Sequence, residues 1–155
     1  HGKGTYRYVD GNVYEGDFKD DMRHGHGLCR YADGNVYDGD WEDDKRKGRG
    51  TCRYANGNVY DGEWKDDGRN GSGTLTFSDG RVYNGEWKDN MRHGSGVSRW
   101  PDGKIYEGDW KNDLSNGKGI FRWPSGQVYE GDFMDSMFHG YGVYYFAESE
   151  KTYEG

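Results

Sequence analysis

The stretch "GNVYEGDFKDDMRHGHG" occupies Gly11–Gly27, and "GNVYDGDWEDDKRKGRG" occupies Gly34–Gly50. The two are nearly the same seventeen residues, displaced by 23 positions. Repetition of this kind marks an array of small structural units, each too small to fold alone. The step persists along the chain: Tyr14, Tyr37, Tyr60, Tyr83, Tyr106 and Tyr129 are each 23 residues apart. Gly16 through Gly131 keep the same spacing, as does the ring series Phe18, Trp41, Trp64, Trp87, Trp110, Phe133. A Gly-x-Gly closes each unit, from Gly25/Gly27 to Gly140/Gly142.

Within a unit, two short alternating segments flank a turn, and no window has helical periodicity. The turn begins at Val9, Ala32, Ala55, Ser78, Pro101 or Pro124 and ends on glycine two residues later. Proline suits the second position of a type I turn, and the glycine then takes positive φ as a bulge. A three-residue loop follows, with Tyr8 opposite Asn12, Tyr6 opposite Tyr14 and Gly4 opposite Gly16. The next connection must be even in length to keep the faces. Four residues, Asp20–Arg23, are expected there, setting Gly16 against Gly27 and Phe18 against Gly25. The predicted fold is all-β: an elongated, single-layer, twisted antiparallel meander of six to seven hairpin repeats. At about 4.8 Å per strand it would extend roughly 60 Å.

This register predicts an all-glycine row between a Tyr-rich row and a row in which rings alternate with glycine. Bare backbone lets rings fold over it, the aromatic rescue of glycine in strands. The opposite face carries Arg7, Arg30, Arg53, Arg99 and Arg122 among valines, beside acids such as Glu15, Asp38 and Asp61, and reads as a mutually neutralising lattice.

Composition agrees. Only 31% of the 155 residues are hydrophobic and 32% are charged, but 17% are aromatic, which disordered chains lack. Glycine reaches 28 residues and proline only two. With a net charge of −7 and interspersed signs, no nucleic-acid partner is expected. No signal peptide or long apolar run is present. Cys29 and Cys52 lie two strands apart in this register, too far for a disulfide, and read as small apolar filler.

No catalytic constellation emerges. His24, His93 and His139 share a position held elsewhere by Lys47, Asn70 and Asn116, which marks a turn residue rather than a general base. No metal ligand set, cofactor site or enzyme activity is expected.

"YEGDFKDDMRHGHG" and "YDGEWKDDGRNGSG" resemble the MORN repeat (membrane occupation and recognition nexus), and the match spans essentially residues 1–155 as one array. The chain starts and stops inside a unit, as a fragment of a longer array would. The last unit departs: "FAESEKTYEG" lacks the Asp-Gly. The resemblance implies a non-enzymatic scaffold in the cytoplasm, associated with cytoskeleton or membrane, that docks protein partners and self-associates. Alternatives are a phosphoinositide or membrane-surface module, with weak phospholipid contact, and an accessory arm of a larger enzyme. A one-layer sheet leaves part of its ring face uncovered, so partner binding is assigned to Tyr37, Trp41, Tyr60, Trp64, Tyr83, Trp87, Tyr106 and Trp110. Homodimerisation is assigned to the last hairpin, where apolar residues replace polar ones: Phe133, Met137, Phe138, Tyr141, Val143 and Tyr145.

Overall fold

The computed structural model describes residues 1–146 and 152–154, and these contain strands and turns but no helix. The strands belong to two compact units, His1–Ser78 and Asp79–Gly155. In the first, β1 (Gly2–Arg7), β2 (Val13–Lys19), β3 (Met22–Arg30), β4 (Val36–Glu42), β5 (Lys45–Arg53), β6 (Val59–Lys65) and β7 (Gly68–Thr76) pair antiparallel in chain order. The second holds β8 (Val82–Lys88), β9 (Met91–Arg99), β10 (Ile105–Lys111), β11 (Leu114–Arg122), β12 (Val128–Met134), β13 (Met137–Tyr145) and β14 (Thr152–Glu154), paired the same way.

The three-residue turn is as expected. Tyr8 N–H donates to the Asn12 carbonyl at 2.8 Å and Gly11 N–H to the Tyr8 carbonyl at 3.0 Å. Gly11 takes φ 97°, and the Asp10 carboxylate accepts the Asn12 N–H. The same hydrogen bonds recur around Tyr31, Tyr54, Trp100 and Trp123.

The other connection differs from expectation. It is a two-residue turn, Asp20–Asp21, with φ of 51° and 62°, and Phe18 faces Arg23 rather than Gly25. Both central residues are left-handed, the type I′ geometry that matches strand twist and that Asp tolerates. The surplus on β3 is absorbed just beyond. Asp17 alone spans His24–His26, Gly25 turns to φ 69°, and Asp17 Oδ2 accepts the His26 N–H at 3.1 Å. Because the surplus is two residues, side chains keep their faces. The row Gly25–Trp41 across β3 and β4 is as predicted. What changes is Arg23, which leaves the loop and joins the ring face.

The glycine row is confirmed at atomic level. A Cβ on Gly27 would collide with the Tyr14 ring, and one on Gly50 with the Tyr37 ring. Each tyrosine lies over a glycine of the next strand, and its hydroxyl reaches a carbonyl three residues on (Tyr14 to Asp17, 2.7 Å; Tyr37 to Asp40, 2.8 Å). Burial, with the Asp17 carboxylate nearby, pushes the Tyr14 phenol up to about 12. Trp41 Nε1 donates to the Gly27 carbonyl and Trp64 Nε1 to that of Gly50, both at 3.0 Å. The rings meet edge to face: Tyr14–Trp41 at 5.5 Å, Tyr37–Trp41 at 5.1 Å, Tyr37–Trp64 at 5.2 Å. Tyr83, Trp110, Tyr106, Phe133 and Tyr129 continue this pattern in the second unit. Such contacts add about 0.5–1.5 kcal/mol per pair beyond burial.

Cys29 and Cys52 are buried free thiols beside these tyrosines, and burial pushes both up, away from the reactive thiolate.

The polar face keeps its predicted rows but not its predicted pairing. Arg30 and Arg53 alternate with Val13, Val36 and Val59. Among the described residues, Arg7, Arg30, Arg53, Arg99 and Arg122 make no ion pair. The neighbouring acids bond within their own stripe: Asp38 meets His26 at 3.0 Å, and Asp61 accepts from the Thr51 hydroxyl. A solvated arginine gains too little from a surface carboxylate to hold one geometry.

Candidate functional site

The eight rings assigned to partner binding form the core instead of an open trough. Tyr37, Tyr60 and Tyr83 are wholly buried, and Trp41, Trp64, Trp87, Tyr106 and Trp110 are nearly so. Tyr37 packs against Trp41 and Trp64, and Tyr83 against Trp87 and Trp110, with a glycine beneath each tyrosine. The accessible part of this face is a second row at the strand ends: Tyr8, Tyr31, Tyr54 and Phe77 in the first unit, Trp100 and Trp123 in the second, all half-buried.

Arginines close the space between the two rows. The Arg23 guanidinium lies 4.5 Å from the Trp41 ring and 5.4 Å from that of Tyr8. Arg46 lies 4.6 Å from Trp64 and 5.8 Å from Tyr31, and Arg92 lies 4.5 Å from Trp110. Each is locked by the second turn residue of the following repeat. Asp44 Oδ1 accepts both the backbone N–H and Nε–H of Arg23, at 2.8 and 3.0 Å. Asp67 does this for Arg46 and Asp113 for Arg92. A planar, delocalised cation suits such a slot because it stacks and fills its fork together.

Read at 23-residue steps, this position is Arg23, Arg46, Arg69, Arg92, Ser115, Phe138. At Ser115 the arginine is missing, and so is its acid: Ser136 stands where Asp44, Asp67 and Asp113 do. The Ser115 N–H merely reaches the Ser136 hydroxyl at 3.3 Å. The vacated slot is a groove of about 580 Å³ lined by Trp100, Trp110, Phe121, Phe133, Met137 and Phe138, with Arg81, Arg92 and Asp113 at its margin. Phe121 joins Trp100 at 5.8 Å to Trp123 at 4.6 Å, and Trp123 reaches Phe138 at 6.0 Å. Apolar walls with a few convergent polar groups are the general character of ligand sites.

The six residues assigned to self-association divide between faces. Phe133 is buried in the ring core, while Met137 and Phe138 form one wall of the groove. Tyr141, Val143 and Tyr145 border a separate hollow of about 610 Å³ on the opposite face, with Ile120, Glu107 and Glu130. Tyr141 and Tyr145 are 56% and 45% exposed, high for tyrosines on one apolar patch. Among the described residues, no cluster of three or more His, Cys, Asp or Glu side chains is arranged to hold a metal ion.

Sequence reasoning passed over Ser115 and the stacked arginines. The signal was available in the column of residues read every 23 positions, where the change to Ser115 coincides with tryptophan replacing tyrosine at 100 and 123.

Comparison with family models matches the MORN repeat at residues 1–13, 14–36, 37–59, 60–80, 83–105, 106–128 and 129–149. The chain belongs to the MORN repeat family. Comparison with curated proteins gives no sequence match. Among solved structures, the chain is similar to the TCP domain of SAS-4 (dCPAP) of Drosophila melanogaster, in complex with a Proline Rich Motif of Ana2 (dSTIL). That likeness has a TM-score of 0.60 and 14% identity, covering 99% of this chain and 83% of that one. It is also similar to the TCP10 domain of Danio rerio CPAP, at TM-score 0.49 and 17% identity, over 88% and 68% of the two chains.

Proposed function

We propose that this chain is a non-enzymatic interaction module that docks an extended segment of a protein partner in the aromatic groove at Ser115. The observation that carries this reading is the vacated arginine slot. Four repeats seal the face with a stacked cation, and the fifth leaves about 580 Å³ of ring-lined space. The SAS-4 domain, of similar fold, holds a proline-rich segment of its own partner, which supports docking on a sheet of this kind. A cytoplasmic scaffold associated with cytoskeleton or membrane is the setting this proposal fits. Phosphoinositide binding takes second place: the arginine row is unpaired, but a row of acids runs beside it and the net charge is −7.

The test is selection of a random peptide library on the wild-type chain. Ser115→Arg with Ser136→Asp rebuilds the plug seen at Arg92 and Asp113, and selected peptides are expected to lose at least about tenfold in affinity for that variant. A library that yields no binder, or binders indifferent to the rebuilt plug, removes the reading.

Self-association is a second proposal, favoured by exposed Tyr141 and Tyr145 on either side of half-buried Val143. Tyr145→Arg leaves the groove intact and is expected to convert a dimer to monomer by light scattering at tens of micromolar, as an order-of-magnitude working range. A wild-type monomer under those conditions overturns it.

A further inference from the structure

Trp100 and Trp123 differ from the tryptophans of the core. Trp41, Trp64 and Trp110 each spend the indole N–H on a glycine carbonyl, at 3.0, 3.0 and 3.2 Å. Among the described residues, neither the Trp100 nor the Trp123 Nε1–H has an acceptor. Both rings are half-buried, and neither Nε1 is closed off from solvent. They occupy equivalent positions in adjacent repeats, following β9 and β11, two strands apart. At about 4.8 Å per strand, equivalent atoms repeat every ~9.6 Å across the sheet.

That distance is also the repeat of one particular backbone. A polyproline II helix advances about 3.1 Å per residue with three residues per turn, so every third residue returns after ~9.3 Å. Its carbonyls make no internal hydrogen bonds and remain free to accept. Resting on the reading of the groove as a docking site, we infer that its ligand is a proline-rich segment in the polyproline II conformation. The segment runs across the strands of the second unit, with carbonyls three residues apart accepting from Trp100 and Trp123 and a proline ring seated in the slot at Ser115.

Charge matching favours this occupant. The two arginines at the groove are already paired, Arg92 with Asp113 at 3.1 Å and Arg81 with Asp79 at 3.0 Å. The remaining walls are apolar rings, Met137, Leu114 and two serines, so an uncharged ligand leaves no charge unanswered. Polyproline ligands dock on ring-lined grooves because their conformation is already restricted, which lowers the entropy lost on binding. A second copy of this chain does not fit the description, since its two prolines, Pro101 and Pro124, stand 23 residues apart. A strand added at the edge of a sheet would leave both indoles unused.

The experiment uses the chain as it stands, uniformly ¹⁵N-labelled, with decaproline as the probe and a Thr-Gln alternating decapeptide as the extended control. Decaproline is expected to shift the indole N–H signals of Trp100 and Trp123 saturably while those of Trp41 and Trp64, away from the groove, stay in place; the control shifts none. Trp100→Phe and Trp123→Phe keep a ring and remove the donor, and each is expected to weaken binding about fivefold, the equivalent of one hydrogen bond. The rebuilt plug at Ser115 and Ser136 should abolish the shifts. Decaproline that moves neither indole, that moves only amides of an edge strand, or that binds both phenylalanine variants as tightly as wild type overturns the inference. Library peptides that are sensitive to the plug but lack prolines at three-residue spacing would overturn it too, while leaving the docking function standing. Loss of both kinds of binding would remove the two together.

Discussion

Gly62→Val is expected to destabilise the first unit by about 3 kcal/mol or more. Gly62 faces Gly73 across β6 and β7, and a Cβ there would collide with the Gly73 Cα. It would also lie 2.6 Å from the Ser72 carbonyl oxygen and 2.8 Å from the Tyr60 hydroxyl. Two of those three obstacles are backbone, so rotamer changes cannot relieve the overlap and the strands must separate. Separation breaks the ladder and lifts the Tyr60 ring, which lies over Gly73. The control is the adjacent Asp61, exposed on the other face, whose carboxylate accepts from the Thr51 hydroxyl at 3.2 Å. Asp61→Ala should cost under about 0.5 kcal/mol. Urea unfolding followed by tryptophan fluorescence measures both. Similar midpoint shifts for the two variants would mean that the faces are misassigned.

Trp64→Ala should cost about 3–5 kcal/mol, the range for deleting a buried aromatic ring. The ring holds edge-to-face contacts with Tyr37 at 5.2 Å and Tyr60 at 5.1 Å, and its N–H satisfies the Gly50 carbonyl. It is also the surface on which the Arg46 guanidinium stacks. Its loss opens a cavity in both directions along the array. Trp64→Phe is the informative comparison, because Phe18 and Phe133 fill the same position in the first and last hairpins. That variant keeps both ring contacts and forfeits one hydrogen bond, about 1 kcal/mol. If alanine proves no worse than phenylalanine under the same urea titration, the ring series is not what holds the sheet.

Much of this could be read before any coordinates. Tyr14, Gly16 and Phe18, each recurring at 23 residues, announce a β-array, because only a repeated hairpin has use for a ring and a bare backbone at that spacing. Pro101 and Pro124 selected the three-residue turn by excluding an N–H at the paired position. Tyr37 and Trp64, assigned to an open trough, are buried in the core for a physical reason. Composition says that a one-layer sheet lacks a covering layer, but it does not say that each tyrosine lies over a glycine, where the neighbouring tryptophans can cover it. Burial of that kind depends on side-chain angles, and the alternation pattern is the same for a trough and for a closed row.

The chain's periodicity by itself determined the strand order, the glycine row and the family, because hairpin register follows from local turn chemistry and a period of two. Tertiary structure alone decided which residues close the ring face and where it stays open. The Asp20–Asp21 turn is two residues rather than four, and that difference carries Arg23, Arg46, Arg69 and Arg92 out of the loops and onto the rings. Once the arginines are there, Ser115 becomes a gap in a wall instead of one more polar loop residue. Both loop lengths preserve side-chain parity, so the sequence pattern is indifferent between them. The choice rests on left-handed Asp conformations and on the bonds from Asp44, Asp67 and Asp113 to the preceding repeat, interactions between residues 21 positions apart that no local pattern encodes.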